Sequence, residues 1–285
     1  MKKIYIIPDV HGRSFYDEPL KQAISEPDSE IVFLGDYVDP YPHENITQND
    51  ALIRFRTIID IKKDHPDKIT LLIGNHDLHY FDGSKRGCRM DYEHYPEINE
   101  MFTGNKDLFD YVKFVTVNGK NFIFSHAGFQ FNWIREYADK LGLCDESWDD
   151  FSDEKCMEGM TFDFLKSFDW KEMSLDKSWL KRYGDVGNSR GGWCSHPSFL
   201  WADLSDHLFD HVFVKDCEQI FGHTMQTVGK PVRFRNCYCL DCQNVFVLCE
   251  DGIVRTMSGE EIKDNGQEIK DAYMSYWKKA SAFFI

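Results

Sequence analysis

Long apolar runs are absent from this sequence. The longest, Lys68-Ile-Thr-Leu-Leu-Ile73 and Phe122-Ile-Phe124, stop far short of the roughly 18 residues a membrane helix needs, so no segment is expected to span a bilayer. The apolar run near the N-terminus is only about four residues long and leads into charged residues, so it reads as a first strand rather than a targeting segment. Paired Cys-x-x-Cys arrays are also missing. The nine cysteines are an odd number, and Cys237, Cys239 and Cys242 fall in an alternating, strand-like run, so reduced thiols in the cytoplasm are expected rather than a disulfide framework. Basic side chains are in short supply, 33 against 48 acidic ones for a net charge of −15. That balance argues against a nucleic-acid backbone as partner, because binding a polyanion rests on Lys and Arg neutralising phosphates. No internal repeat and no low-complexity tract appears.

What is present suits a folded α/β chain. With 42% hydrophobic residues over 285 positions, there is enough apolar surface for one sizeable core. Apolar runs of strand length occur at 4–7, 31–34, 69–73, 114–117 and 121–125. Between the second and third, Thr47 with Asp50 three residues on resembles a capping box, and Leu52, Phe55, Ile58, Ile59 and Ile61 recur at helical spacing. That order implies parallel strands with right-handed crossovers, whose ligands gather at the carboxyl ends of the strands. Val117-Asn-Gly-Lys120 reads as a hairpin turn that makes the sheet mixed. Later runs at 198–201, 219–221, 238–240, 245–248 and 253–256 suit a second, smaller sheet, and 268–284 suits a closing helix. Residues 144–178 carry eleven acids against four lysines, interleaved with Trp148, Phe151, Phe162, Phe164, Leu165, Phe168 and Trp170. A helical insertion or cap over 144–180, within a single domain of 1–285, is the expectation.

Chemistry-bearing side chains cluster at the ends of the strand-like runs. Asp9-Val-His11-Gly12 follows the first, Gly35-Asp36-Tyr-Val-Asp39 the second and Gly74-Asn75-His76-Asp77 the third. Phe124-Ser-His126-Ala-Gly128 and Phe221-Gly222-His223-Thr224 each add one histidine beside a glycine. Five such loops in one chain point to a metal site. Mixed imidazole and oxygen donors without thiolate suit Mn²⁺, Fe or Zn²⁺ better than Ca²⁺ or a closed structural zinc.

Together these motifs resemble the calcineurin-like metallophosphoesterase superfamily, from the strand before Asp9 through His223. The single histidine of Gly222-His-Thr-Met-Gln226, with Leu200-Trp-Ala-Asp203, is most similar to the phosphoprotein phosphatase branch, which includes Ser/Thr phosphatases and bacterial diadenosine tetraphosphatases. Two positions depart from that branch. Pro40-Tyr41 stands where an Arg-Gly pair is usual, and Ile73 where an arginine is common.

The resemblance implies a β-sandwich of mixed sheets flanked by helices. It also implies two divalent metal ions, Mn²⁺ before Fe or Zn²⁺. Asp9, His11 and Asp36 would hold one, and Asp36, Asn75, His126 and His223 the other. A hydroxide held by the metals would attack a phosphomonoester, on a small molecule or a protein. His76 would protonate the leaving group, Asp39 would orient His76, and Arg190 or Arg13 would grip phosphate. The alternatives are a diadenosine polyphosphate hydrolase, a phosphodiesterase and, from another class, a non-catalytic protein-binding scaffold. His43, His79 and His94 match no ligand position and are expected at the surface.

Overall fold

The computed structural model describes residues 3–81, 89–137, 161–209 and 214–282. The chain opens with β1 (Lys3–Ile7), α1 (Asp17–Ser25), β2 (Ser29–Phe33), α2 (Gln48–Asp64), β3 (Ile69–Leu72), α3 (Asn75–Phe81) and α4 (Tyr95–Gly104). The strands β4 (Phe109–Asp110), β5 (Lys113–Val117) and β6 (Lys120–Phe124) follow, then α5 (Phe131–Tyr137). Three short helices come next, α6 (Phe162–Lys166), α7 (Trp170–Met173) and α8 (Lys177–Tyr183), followed by α9 (Leu204–Phe209). The chain closes with β7 (Glu218–Phe221), β8 (Val232–Phe234), β9 (Cys237–Cys239), β10 (Phe246–Leu248), β11 (Val254–Thr256) and α10 (Gly266–Ala282).

The strands form two mixed sheets, ordered β11-β10-β1-β2-β3-β4 and β5-β6-β7-β9-β8. β1, β2 and β3 run parallel, as do β6, β7 and β9. The second sheet differs from the expectation. β10 and β11 pair onto β1 in the first sheet, while the 114–125 hairpin belongs to the second. Residues 198–201 form a turn rather than a strand, with the Ser198 hydroxyl donating to the Tyr183 carbonyl at 2.6 Å. The hairpin turn has Asn118 and Gly119 both at positive φ, 50° and 74°, which a two-residue turn matched to strand twist requires.

Side-chain alternation builds the layers. Ile4, Ile6, Val32, Leu34 and Leu72 point from the first sheet onto Phe122, Phe124, Ile220, Tyr238 and Leu240 of the second. The opposite face, Tyr5, Ile7, Ile31, Phe33, Ile69 and Leu71, packs against Leu20 and Ala23 of α1 and Leu52, Phe55 and Ile58 of α2. On the far side, α9 and α10 cover Phe221, Cys237 and Cys239. The result is a β-sandwich with helices on both outer faces. α2 begins with the capping box, Thr47 accepting from Asp50 N and Asp50 reaching back to Thr47 N, which satisfies two of the helix's unpaired donors.

Part of the acidic stretch has local work. Asp169 accepts from the Lys171 and Glu172 amides at the start of α7, and Asp176 from Ser178 N at the start of α8. Phe162, Leu165, Trp170 and Tyr183 are buried in the main core. Residues 144–160 of the expected insertion lie outside the described residues. The six described cysteines are all free thiols, and among the described residues no helix is long and apolar enough to cross a membrane.

Candidate active site

The sequence-predicted residues converge where the parallel strands of both sheets end. Asp9 and His11 follow β1, Asp36 and Asp39 follow β2, Asn75 and His76 open α3 after β3, His126 follows β6 and His223 follows β7. Backbone hydrogen bonds lace the loops together. His11 N donates to the Asp36 carbonyl at 2.7 Å, Gly222 N to the His126 carbonyl at 2.8 Å, and His223 N to the Asp9 carboxylate at 2.9 Å. Asp77, completely buried, accepts from the amides of Asp36 (2.7 Å), Tyr37 (3.0 Å) and Gly74 (2.8 Å), joining the second loop to the third.

This convergence strains the backbone. His11, Asp36, Asp39 and His223 all adopt left-handed φ, between 43° and 64°, a conformation that costs non-glycine residues free energy and collects at functional sites. Two glycines make room for the carboxylates. A Cβ on Gly74 would collide with Asp36 Oδ1, and one on Gly222 with Asp9 Oδ1.

Two triads share one carboxylate. Asp9, His11 and Asp36 form one and Asp36, His126 and His223 the other, the donor atoms of each lying within 4.8 Å of one another and all of them buried. His11 Nε2 lies 3.4 Å and His126 Nε2 3.6 Å from Asp36 Oδ2. Asn75 Oδ1 completes the second cluster, 2.9 Å from both His126 Nε2 and His223 Nδ1.

The donor chemistry fits cations. His11 Nδ1 donates to the Val38 carbonyl and His126 Nδ1 to the Leu34 carbonyl, each at 2.8 Å. Those bonds fix the tautomers and leave the Nε2 lone pairs directed at Asp36, the arrangement that metal-ligating histidines use. In the second cluster, His126 Nε2, His223 Nδ1 and Asn75 Oδ1 approach pairwise to about 3 Å, more converging lone pairs than the His223 Nδ1 hydrogen alone can satisfy.

Titration follows burial and charge. Burial holds His11 and His223 far below the ordinary histidine range, so both are neutral and able to ligate. Burial also works to raise Asp36, but the pull of His126, His76 and His11 wins and keeps it ionised well below the usual carboxylate range. At Asp9, burial prevails over His126 and raises the carboxyl. Such a buried carboxylate gains from a neighbouring cation.

Beside the triads, His76 Nδ1 lies 2.8 Å from Asp39 Oδ2. Burial raises the Asp39 carboxyl against the hydrogen bonds from His76 and Tyr80. Arg190 pairs with Asp203 at 2.7 Å and donates to Thr224 Oγ1 at 3.0 Å, next to His223. Arg13 is buried and held by Glu44 at 2.9 Å, with Asp241 at 3.7 Å. Of the three histidines expected at the surface, His43 is exposed and His94 half-buried on Asp91 at 2.7 Å. His79 departs from the expectation, lying buried between the rings of His76 and Trp201.

Sequence reasoning passes over three residues at the site. Tyr80 hydrogen-bonds Asp39, and its spacing of four from His76 on a helix is a readable signal. Asp77 closes the third motif, but nothing local shows that its carboxylate binds the amides of another loop. Arg89, in the basic cluster Lys85-Arg86-Gly-Cys-Arg89 of an otherwise acidic chain, reaches His76.

Residues 2–226 match the family model described as calcineurin-like phosphoesterase. A catalytic chain of protein phosphatase 2A from Dictyostelium discoideum is 27% identical over 259 residues, spanning 87% of this chain and 73% of that protein. Among solved structures, a serine/threonine phosphatase from Saccharomyces cerevisiae with similarity to human phosphatase PP5 aligns over 92% of this chain and 80% of its own, with a TM-score of 0.49 and 15% identity.

Proposed function

The chain belongs to the calcineurin-like phosphoesterase family, whose members hydrolyse phosphoesters with metal ions, and from that premise we propose a dinuclear phosphatase acting on phosphomonoesters. The observation that carries this reading is the pair of buried triads sharing Asp36. Asp9, His11 and Asp36 would hold one divalent ion, and Asp36, Asn75, His126 and His223 the other. Their imidazole and oxygen donors suit Mn²⁺, with Fe or Zn²⁺ as alternatives. When bound, such a pair supplies Lewis-acid stabilisation of phosphoryl oxygens and acidifies a water at neutral pH.

The chain's own residues do the remaining work. His76 would act as general acid, since its Nδ1 is held by Asp39 and its ring stands edge-on to that of His11 at 5.2 Å. Asp39 fixes the ring by accepting from Nδ1, which leaves Nε2 as the nitrogen that would carry a proton to the leaving oxygen. Arg190, beside His223, would contact non-bridging phosphate oxygens, and Arg13, pinned by Glu44, would steady the loop that carries Asp9. The relative from Dictyostelium is named a protein phosphatase, so phosphorylated protein side chains are the first substrate class we propose. The free thiols suit the cytoplasm.

The test is metal analysis combined with a substrate panel. Protein loaded with Mn²⁺ should hold two ions per chain and hydrolyse p-nitrophenyl phosphate and phosphopeptides faster than bis-p-nitrophenyl phosphate or diadenosine tetraphosphate. Asp36→Asn should lower occupancy at both sites. A single ion per chain, or faster turnover of the diester, would refute the dinuclear monoesterase reading.

A further inference from the structure

The connection between α3 and α4 brings one more cation to the site. Arg89, at φ 64°, donates from Nη1 to the Asp39 carbonyl at 2.6 Å and from Nη2 to His76 Nε2 at 2.9 Å. Its Cζ lies 3.6 Å from the centroid of the Tyr41 ring, and Tyr41 stands edge-on to His11 at 5.1 Å. A planar guanidinium stacks well on an aromatic face. The Pro40-Tyr41 pair, which carries no charge itself, therefore forms a shelf that holds a cation delivered from another part of the chain.

The arginines around the site differ in what balances their charge. Arg13 meets Glu44 and Asp241, and Arg190 meets Asp203. Among the described residues Arg89 meets no carboxylate within ion-pair distance. Its partners are a carbonyl, an imidazole nitrogen and a ring face. A guanidinium has five N–H donors, of which those partners take two. Among the described residues, charge and donors both remain for an anion, in a half-buried setting where a charge-assisted bond is stronger than in open water.

The contact with His76 says where that anion sits. Nε2 is the nitrogen from which a leaving oxygen would take its proton. Any ester oxygen within hydrogen-bond reach of Nε2 must share the space that Arg89 Nη2 holds, so a phosphate arriving there meets the guanidinium. We propose that Arg89 is a phosphate-binding residue that moves off His76 Nε2 onto the non-bridging oxygens of a phosphomonoester, freeing Nε2 to take up a proton from solvent and pass it to the leaving oxygen. Arg190 approaches from the His223 side and Arg89 from the His76 side, so a monoester dianion is held between two cations. A diester, with one negative charge, gains less from the pair. The inference rests on the phosphatase reading and deepens it.

Inorganic phosphate is the direct probe. Calorimetric titration of Mn²⁺-loaded wild type, Arg89→Ala and Arg89→Lys should show roughly 10- to 100-fold weaker phosphate binding in Arg89→Ala, the range for losing a charge-assisted contact. Arg89→Lys should recover part of it, since an ammonium cannot reproduce the planar fork. The same variants should lose kcat/KM on p-nitrophenyl phosphate by a similar factor and on bis-p-nitrophenyl phosphate by less. Tyr41→Leu, which keeps the arginine and removes its shelf, provides a second test should Arg89→Ala unfold, and it should weaken phosphate several-fold. Wild-type phosphate affinity in both Arg89→Ala and Tyr41→Leu, or an equal loss on the two ester classes, overturns the role of Arg89 and leaves the phosphatase reading intact. A metal-loaded wild type that neither binds phosphate nor hydrolyses either ester overturns both.

Discussion

Tyr80 donates its hydroxyl hydrogen to Asp39 Oδ1 at 2.6 Å, and the other oxygen of that carboxylate faces His76 Nδ1 at 2.8 Å. The phenol oxygen in turn accepts from Asp91 N at 2.7 Å, so the tyrosine joins the start of the α4 region to the proposed acid. Tyr80→Phe leaves two buried groups without a partner and should cost about 1–3 kcal/mol of stability. Activity should fall as well, more on an alkyl phosphate than on p-nitrophenyl phosphate, because the loosened Asp39 no longer holds His76 in register. Equal losses on the two substrates would mean that Tyr80 supports the fold alone.

His76→Ala separates proton donation from metal holding. An alkyl phosphate should lose roughly 10²- to 10⁴-fold in kcat, the span of a general acid. p-Nitrophenyl phosphate, whose leaving group is stable as an anion, should lose much less. Metal content measured alongside should stay at the wild-type level. Loss of an ion would reassign His76 as a ligand.

The glycines that cradle the carboxylates are open to a paired comparison. Gly74→Ala drives a methyl group into Asp36 and should destabilise by roughly 1–3 kcal/mol, as other overpacked buried sites do, with metal binding weakened. At Gly104, the end of α4, an added Cβ meets nothing within 4 Å, and Gly104→Ala should be neutral or stabilising by about 0.5–1 kcal/mol. Denaturant midpoints of the two variants give the comparison.

His79 makes metal-free protein sensitive to acid. Burial, with help from His76, pushes its pKa down to about 4, against a smaller upward pull from Asp36. An unfolded chain takes up this proton near pH 6.5, before the folded state can. Stability is therefore complete above about pH 6.5 and is lost progressively as pH falls toward 4, by about 2–3 kcal/mol from this residue. His79→Gln should flatten that slope between pH 7 and 4.5 in chelated samples. An unchanged slope would place the acid sensitivity in His11 and His223 instead.

Much of this molecule was legible in one dimension. The capping box at Thr47 and Asp50, the strand-length runs before Asp9, Asp36 and Asn75, and the turn at Asn118-Gly119 are local features, decided by residues within a few positions of one another. The site loops were legible for a related reason. Parallel strands send the residues that follow them to one edge of their sheet, so Asp9, His11, Asp36 and Asn75 could be grouped after β1, β2 and β3, and His126 and His223 after β6 and β7, while the packing of the two sheets brings both edges together. Tertiary structure alone decided what depends on distant segments packing together. Residues 246–256 joined the first sheet because Ile4 and Ile6 needed a partner strand on that edge, which alternation by itself does not specify. His79 is buried because Trp201, more than a hundred positions away, packs over it. Arg89 reaches His76 and the Asp39 carbonyl only because a left-handed residue and the ring of Tyr41 aim its guanidinium there. Local periodicity records which face of an element is apolar, but it carries no information about which remote side chain will occupy the space in front of it.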